Sequence, residues 1–120
     1  MHMCGVACYA AAPDKVRAQL EAAARGQHLS TLAFSESGSR SHFWAPVSRA
    51  KASNGFVHLD AQKSFVTAAG EADGYVVSTL TGPEAEAVRG TLYLVLRGDA
   101  GMQVSGPWTG LRMRGTPAPQ

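Results

Sequence analysis

The 120-residue sequence predicts one α+β domain: a twisted, mostly antiparallel sheet with two main helices packed on one face. Three observations predict it. Helical and strand-like segments are interleaved without strict alternation, which argues against a doubly wound parallel sheet. The apolar share of 45% and charged share of 17% are those of an ordinary globular chain. No internal repeat or linker divides the sequence, and its length suits a single core. The domain is expected over residues 1–115. Residues 116–120, with two prolines and no apolar anchor, are expected to form an extended tail.

The elements follow in order. Residues 4–9 form a continuous apolar run and read as a first strand covered on both faces. Pro13 and Asp14 then suit a helix start, and Val16, Leu20 and Ala23 recur at helical spacing up to a stop at Gly26. Residues 28–34 alternate like a strand. The Ser/Gly-rich stretch 35–40 is a loop, and residues 41–47 read as another strand. Residues 48–54 are small and polar, and Asn54-Gly55 is a strong turn signal. Phe56, Val57 and Leu59 mark a short strand, after which Asp60 would cap a helix over 61–69. Residues 75–80 are β-rich. A short helix is expected between Gly82 and Gly90. Residues 91–97 form the strongest strand pattern and are expected at the sheet centre. Weaker strands are expected at 102–105, as a hairpin partner, and at 111–113.

Composition excludes several classes. The formal charge of +2 is too small to imply nucleic-acid binding by itself. No apolar run approaches the roughly 20 residues of a membrane span, and the first residues lack the pattern of a signal peptide. A cytoplasmic location without membrane association is the expectation. Cys4 and Cys8, on the strand reading, stand about 13 Å apart, beyond disulfide reach. They are read as small buried hydrophobes in a reducing compartment.

The strand-to-helix junction at 55–60 is where a site would form most cheaply, because a rigid scaffold fixes the side chains at its rim. His58 and Asp60 share a face there, and a carboxylate beside an imidazole raises its basicity. The competing reading gives Asp60 a capping role and leaves His58 at the sheet rim. His28, His42 and His58 could supply three metal ligands only if separate elements converged; no metal site is expected. Ser30, Thr31, Ser41 and His42 offer nucleophile and base types without a GxSxG elbow. Glu84 and Glu86 suit a helix first turn. Arg40, Arg49 and Lys51, near Phe43 and Trp44, mix cations with aromatics as single-strand binders do. Arg97, Arg112 and Arg114 would extend that surface. No Gly-rich phosphate loop is present, and no cofactor is implied.

Three short resemblances stand beside these readings. Met3-Cys4-Gly5-Val6 is similar to the start of class II glutamine amidotransferases, whose nucleophile is a terminal cysteine; residues precede Cys4 here. His28-Leu29-Ser30 is similar to one motif of the two-histidine phosphoesterases, but the second, His58-Leu59-Asp60, carries aspartate in place of the hydroxyl. The order from Tyr9, through a helix to Gly26, the 56–60 segment and the 91–96 strand resembles ADP-ribosyltransferase-like folds. That resemblance implies that Tyr9 and His58 line a nicotinamide cleft, with the glutamate role on Glu84 or Glu86.

Together these observations favour a small soluble binding or interaction protein of undetermined role. A ligand pocket is expected at the sheet rim, with His58, Asp60 and Arg97 as polar contacts and Trp44, Tyr75, Tyr93 and Trp108 as apolar walls. The alternatives are a small enzyme of ADP-ribosyltransferase-like arrangement and an inhibitor that binds a partner or nucleic acid. A small molecule, a protein partner or a second copy of the chain are the partners considered.

Overall fold

The computed structural model describes residues 1–39, 42, 44–81 and 90–106. Two helices and five strands are defined in chain order. They are α1 (His2–Ala10), α2 (Arg17–Ala24), β1 (Ser30–Ala33), β2 (Arg49–Ser53), β3 (Phe56–Asp60), β4 (Gly74–Thr81) and β5 (Gly90–Leu96). All five strands join one sheet.

The first departure from expectation is at the start. The apolar run 4–9 belongs to helix α1, not to a strand. A short apolar run is ambiguous between a buried strand and a buried helix, because neither period shows. Helical geometry puts Gly5 and Tyr9 on one face, four residues apart, and these two are the buried residues of α1. Gly5 is required there: a Cβ would lie 2.5 Å from Ser30 Oγ. Thus α1 lies flat against β1 and β4, and α2 packs on α1.

Helix α2 begins at Arg17, later than Pro13 suggests, and ends as expected at Gly26. Gly26 adopts φ +70°. Its N–H bonds the Ala23 carbonyl at 3.0 Å and the next N–H, of Gln27, bonds the Ala22 carbonyl at 2.8 Å. This paired closure satisfies carbonyls that the helix end would otherwise orphan.

Strand β4 is the organising element. Seven of its eight residues are buried, as a strand covered on both faces should be. It pairs antiparallel with β5 from Gly74 to Leu80. Its other edge is shared. Strand β1 runs parallel to Gly74–Val77, and β2 runs parallel to Leu80–Thr81. The expected central position of residues 91–97 is therefore corrected: β5 is bonded only to β4 among the described residues, and none of its seven residues is buried. The sheet is mixed, so the description as mostly antiparallel is not what these pairings give. The α+β class holds.

Strands β2 and β3 form a hairpin about Asn54 (φ +51°) and Gly55 (φ +79°), the primed turn that Asn-Gly favours. Only Ala50 of β2 is buried, which explains why residues 48–54 read as polar loop. The expected helix over 61–69 is absent. Asp60 pairs with Arg49 in the ladder and is a strand residue, not a helix cap. Irregular backbone follows, with left-handed φ at Phe65 and Ala68. No strand forms at 102–105, nor among the described residues of 41–47. The expected elements at 84–90 and 111–113, with the tail 116–120, lie outside the described residues or mostly so.

The core cluster is Ala33, Val66, Ala72, Tyr75 and Val77, with Ala69, Val95 and Met102 packed against it. Tyr75 and Val77 alternate onto this face of β4. Gly74 turns to the other, where Tyr9 and His28 stand against it.

Candidate functional site

Between β1 and β2, the shared edge of β4 has a gap at Ser78 and Thr79. There the ladder lacks a neighbouring strand, and buried carbonyls need another donor. Lys63 supplies it. Its ammonium donates to the Ser78 carbonyl at 2.5 Å, reaches the Phe34 carbonyl at 3.5 Å and pairs with Glu36 Oε1 at 2.8 Å. Glu36 Oε2 accepts the N–H groups of Val47 (2.5 Å) and Ser48 (3.1 Å), just before β2 begins. One ion pair thus joins the exits of β1 and β3, the entry of β2 and the middle of β4.

The pair is deeply buried, with 8% of the Lys63 side chain and 3% of the Glu36 side chain exposed. Burial alone would raise the Glu36 carboxyl, but hydrogen bonds, led by that from Lys63, hold it below the ordinary carboxylate value. Burial lowers the Lys63 ammonium, and Glu36 restores part of that loss. Such pairs are costly to break, because the survivor is a charge stranded in low dielectric.

The backbone leaving Lys63 is clamped at three further points. The Ser64 N–H bonds the Ser35 carbonyl at 2.9 Å. The Thr31 hydroxyl, on β1, donates to the Thr67 carbonyl at 2.7 Å. The Gly70 N–H bonds the Tyr75 hydroxyl at 2.8 Å. Within this clamp, Phe65 has φ +54° and Ala68 φ +55°. Left-handed backbone at a residue with Cβ costs about 1–3 kcal/mol and persists where surroundings over-determine it, commonly at functional sites. Phe65 stays 60% exposed. The result is a partly exposed aromatic residue on a clamped backbone, whose half-buried neighbours Ser35 and Thr67 are tied into the same clamp by their carbonyls. That arrangement suits a planar ligand, with stacking on the ring and polar contacts at its edges.

Of the described residues expected to bind a ligand, His58, Asp60 and Tyr75 line a cleft of about 610 Å³ between the hairpin, the core face and residues 99–105. Trp44, Tyr93 and Arg97 are not in its lining. Trp44, 59% exposed, stacks on His42 at 4.9 Å. Tyr93 lies opposite Val77 on β5. Arg97 pairs with Asp73 at 3.0 Å and bonds the Glu71 carbonyl. The three histidines do not converge: His28 meets the Tyr9 hydroxyl at 3.0 Å, His42 meets Trp44, and His58 faces Lys51 across the hairpin. Among the described residues no group of three or more His, Cys, Asp or Glu is placed to hold a metal ion. No helix among them is long and apolar enough to cross a membrane.

Tyr9 lies on α1 with its ring packed to the sheet, and burial first, with Asp73 and Cys8 adding, pushes its phenol up to about 12. Burial also lowers the His28 imidazole, with Asp73 opposing. Because Tyr9 ends no strand, the ordering that resembled ADP-ribosyltransferases is not the ordering of this fold. Arg40, Ser41, Phe43, Glu84, Glu86, Trp108, Arg112 and Arg114 lie outside the described residues.

Sequence reasoning passed over Glu36, Lys63 and Phe65. Glu36 sits in a Ser/Gly loop and Lys63 in a stretch that read as helix, so nothing marked either as buried. The left-handed backbone of Phe65 has no signal in residue type, since glycine or asparagine is the usual marker.

No family model and no curated protein matches the chain. Solved structures do. An FAD-dependent dehydrogenase matches with TM-score 0.72 and 27% identity, over 81% of this chain and 26% of its own. The acyl-CoA dehydrogenase of Geobacillus kaustophilus matches with TM-score 0.82 and 22% identity, over 94% and 31%. PigA, solved with FAD and proline, matches with TM-score 0.82 and 20% identity, over 98% and 33%. The chain therefore spans about a quarter to a third of the proteins it resembles. These likenesses overturn the expectation of a small binding or interaction protein of undetermined role, and with it the ADP-ribosyltransferase-like and inhibitor alternatives: the fold is one that flavoenzymes carry as part of a larger chain.

Proposed function

We propose that the chain is a flavin-contacting sheet segment of an FAD-dependent oxidoreductase with acyl-CoA dehydrogenase-like architecture. The observation that carries this reading is the match to an FAD-dependent dehydrogenase over four-fifths of the chain. The clamped segment 63–70 supports it from the chain's own geometry. A flavin needs a flat apolar surface for its ring system and hydrogen-bonding groups at its polar edge. The partly exposed Phe65 would offer apolar surface for the first, and the hydroxyl residues Ser35 and Thr67 on the same clamp are the candidates for the second. The residues present therefore fit the group. On this reading the expected small-molecule partner is the dinucleotide, and its contacts would centre on Phe65 in place of His58.

Bound FAD would supply two-electron redox chemistry. The chain's own part is to bind and orient. Phe65 would lie against the ring system and help to keep water from it. Ser35 and Thr67 would hold its polar edge. The Glu36–Lys63 pair fixes the two loops that carry them, so that little ordering entropy is lost on binding.

The test is FAD titration of the folded chain, followed by flavin fluorescence and the visible absorption band. Saturable binding is expected, weakened about tenfold by Phe65→Ala, on the scale of about 1.4 kcal/mol per decade, and retained by Phe65→Trp. Absence of saturable binding, or equal affinity in Phe65→Ala, would overturn the proposal.

A further inference from the structure

The helical state of residues 2–10 changes the chemistry of the two cysteines. On a helix, positions four apart share a face, with Cα atoms about 6 Å apart along the axis and Cβ atoms about 5–6 Å apart. Cys4 and Cys8 hold that relation on α1. Gly5 and Tyr9 take the buried face, which leaves Cys4 exposed and Cys8 half-buried, both as free thiols.

We propose that Cys4 and Cys8 form a two-thiolate site for a single soft d10 cation, Cu(I) or Hg(II). A disulfide needs Cβ atoms about 3.5–4.5 Å apart, closer than an undistorted helix brings them. A bridging ion has the longer reach. With metal–sulfur bonds near the roughly 2.3 Å of a zinc thiolate, the sulfurs stand up to about 4.6 Å apart on opposite sides of the ion. Soft thiolate donors select Cu(I) from the first-row metals. Two donors do not close the four-coordinate shell of structural zinc, so an ion content with two ligands is favoured.

The Cys8 thiol is not poised for redox or nucleophilic work. Burial first, and then Cys4 itself, pushes the Cys8 thiol up, whereas a reactive cysteine is held low. Binding therefore has a defined balance: one cation enters, two S–H bonds break, two metal–sulfur bonds form, and two protons leave to solvent. No oxidant is involved. The site lies on α1, independent of the flavin reading.

The experiment is anaerobic titration of the reduced full chain with Cu(I) against a chromophoric chelator, and separately with Hg(II). One equivalent should bind per monomer, with release of two protons. Cys4→Ser and Cys8→Ser should each weaken binding at least 100-fold, with Cys8→Ala as the substitute if Cys8→Ser disturbs the far-ultraviolet helix signal. Cys4→Ser with Ala10→Cys keeps two thiols but places them two residues apart, on opposed faces, and should bind as weakly as the single variants. The proposal is overturned if a single-cysteine variant binds as tightly as the parent, if the displaced pair does, or if saturation falls at half an equivalent with two chains sharing one ion.

Discussion

Replacing Lys63 with Met removes the ammonium while keeping most of the side-chain volume. The structure sets the size of the effect. Lys63 answers a carboxylate that is almost fully buried, and it is a donor to the Ser78 carbonyl in the gap of the β4 ladder. Removing one partner of a buried pair costs about 3–5 kcal/mol, and Glu36 keeps only two backbone N–H donors. A small domain has about 5–15 kcal/mol in total, so Lys63→Met should lose a large part of it. With a urea slope of about 1–3 kcal/mol/M, the unfolding midpoint should fall by about 2 M at neutral pH, followed by far-ultraviolet circular dichroism. Glu36→Gln combined with Lys63→Met carries no stranded charge and should recover at least half of the loss. That double variant also gives a readout if the single one does not fold. A midpoint shift below about 0.5 M for Lys63→Met would refute the reasoning, since the pair would then behave as a solvated surface pair.

Two further effects follow from neighbouring contacts. The Glu36 carboxyl is held below its ordinary value of 4.5. Its stabilising contribution should be complete above that value and disappear as pH falls through the depressed one. The urea midpoint difference between the parent and Glu36→Gln should therefore be constant from pH 6 to 7 and shrink toward pH 3; a pH-independent difference would exclude Glu36 as the titrating group. At Gly74, a Cβ would meet the Tyr9 hydroxyl and lie 2.7 Å from His28 Nε2. Gly74→Ala should cost about 1–3 kcal/mol by overpacking, seen as a lower melting temperature, with Tyr9→Phe in that background restoring part. An unchanged melting temperature would show that α1 lifts off the sheet easily.

The parts of the fold legible in the sequence are those with local causes. The Asn54-Gly55 turn requires left-handed backbone at both positions, and residue type announces it. Gly26 ends α2 for the same reason. The α1 error came from a segment with no period to read: an all-apolar run of six is equally a buried strand and a buried helix. The β2 segment was missed because a strand on a solvated ribbon needs no apolar alternation. The false helix at 61–69 arose from alanine-rich composition, whereas tertiary hydrogen bonds from Ser35, Thr31 and Tyr75 decide that backbone. The site was illegible for a related reason. Its buried ion pair joins residues 27 positions apart across a gap in a strand ladder, and that gap exists only once β1 and β2 both claim the same edge of β4.

Phe65 brings these threads together. A ring that is 60% exposed gains little from burial, and its backbone stands where glycine would be cheaper by about 1 kcal/mol or more. The surrounding structure nevertheless holds it on both sides, by the Lys63–Glu36 pair and Ser64 before it and by the Thr31–Thr67 bond after it. The strain is therefore kept by tertiary contacts and not by residue preference, and on the proposed flavin reading it fixes the place where the ring system would be met.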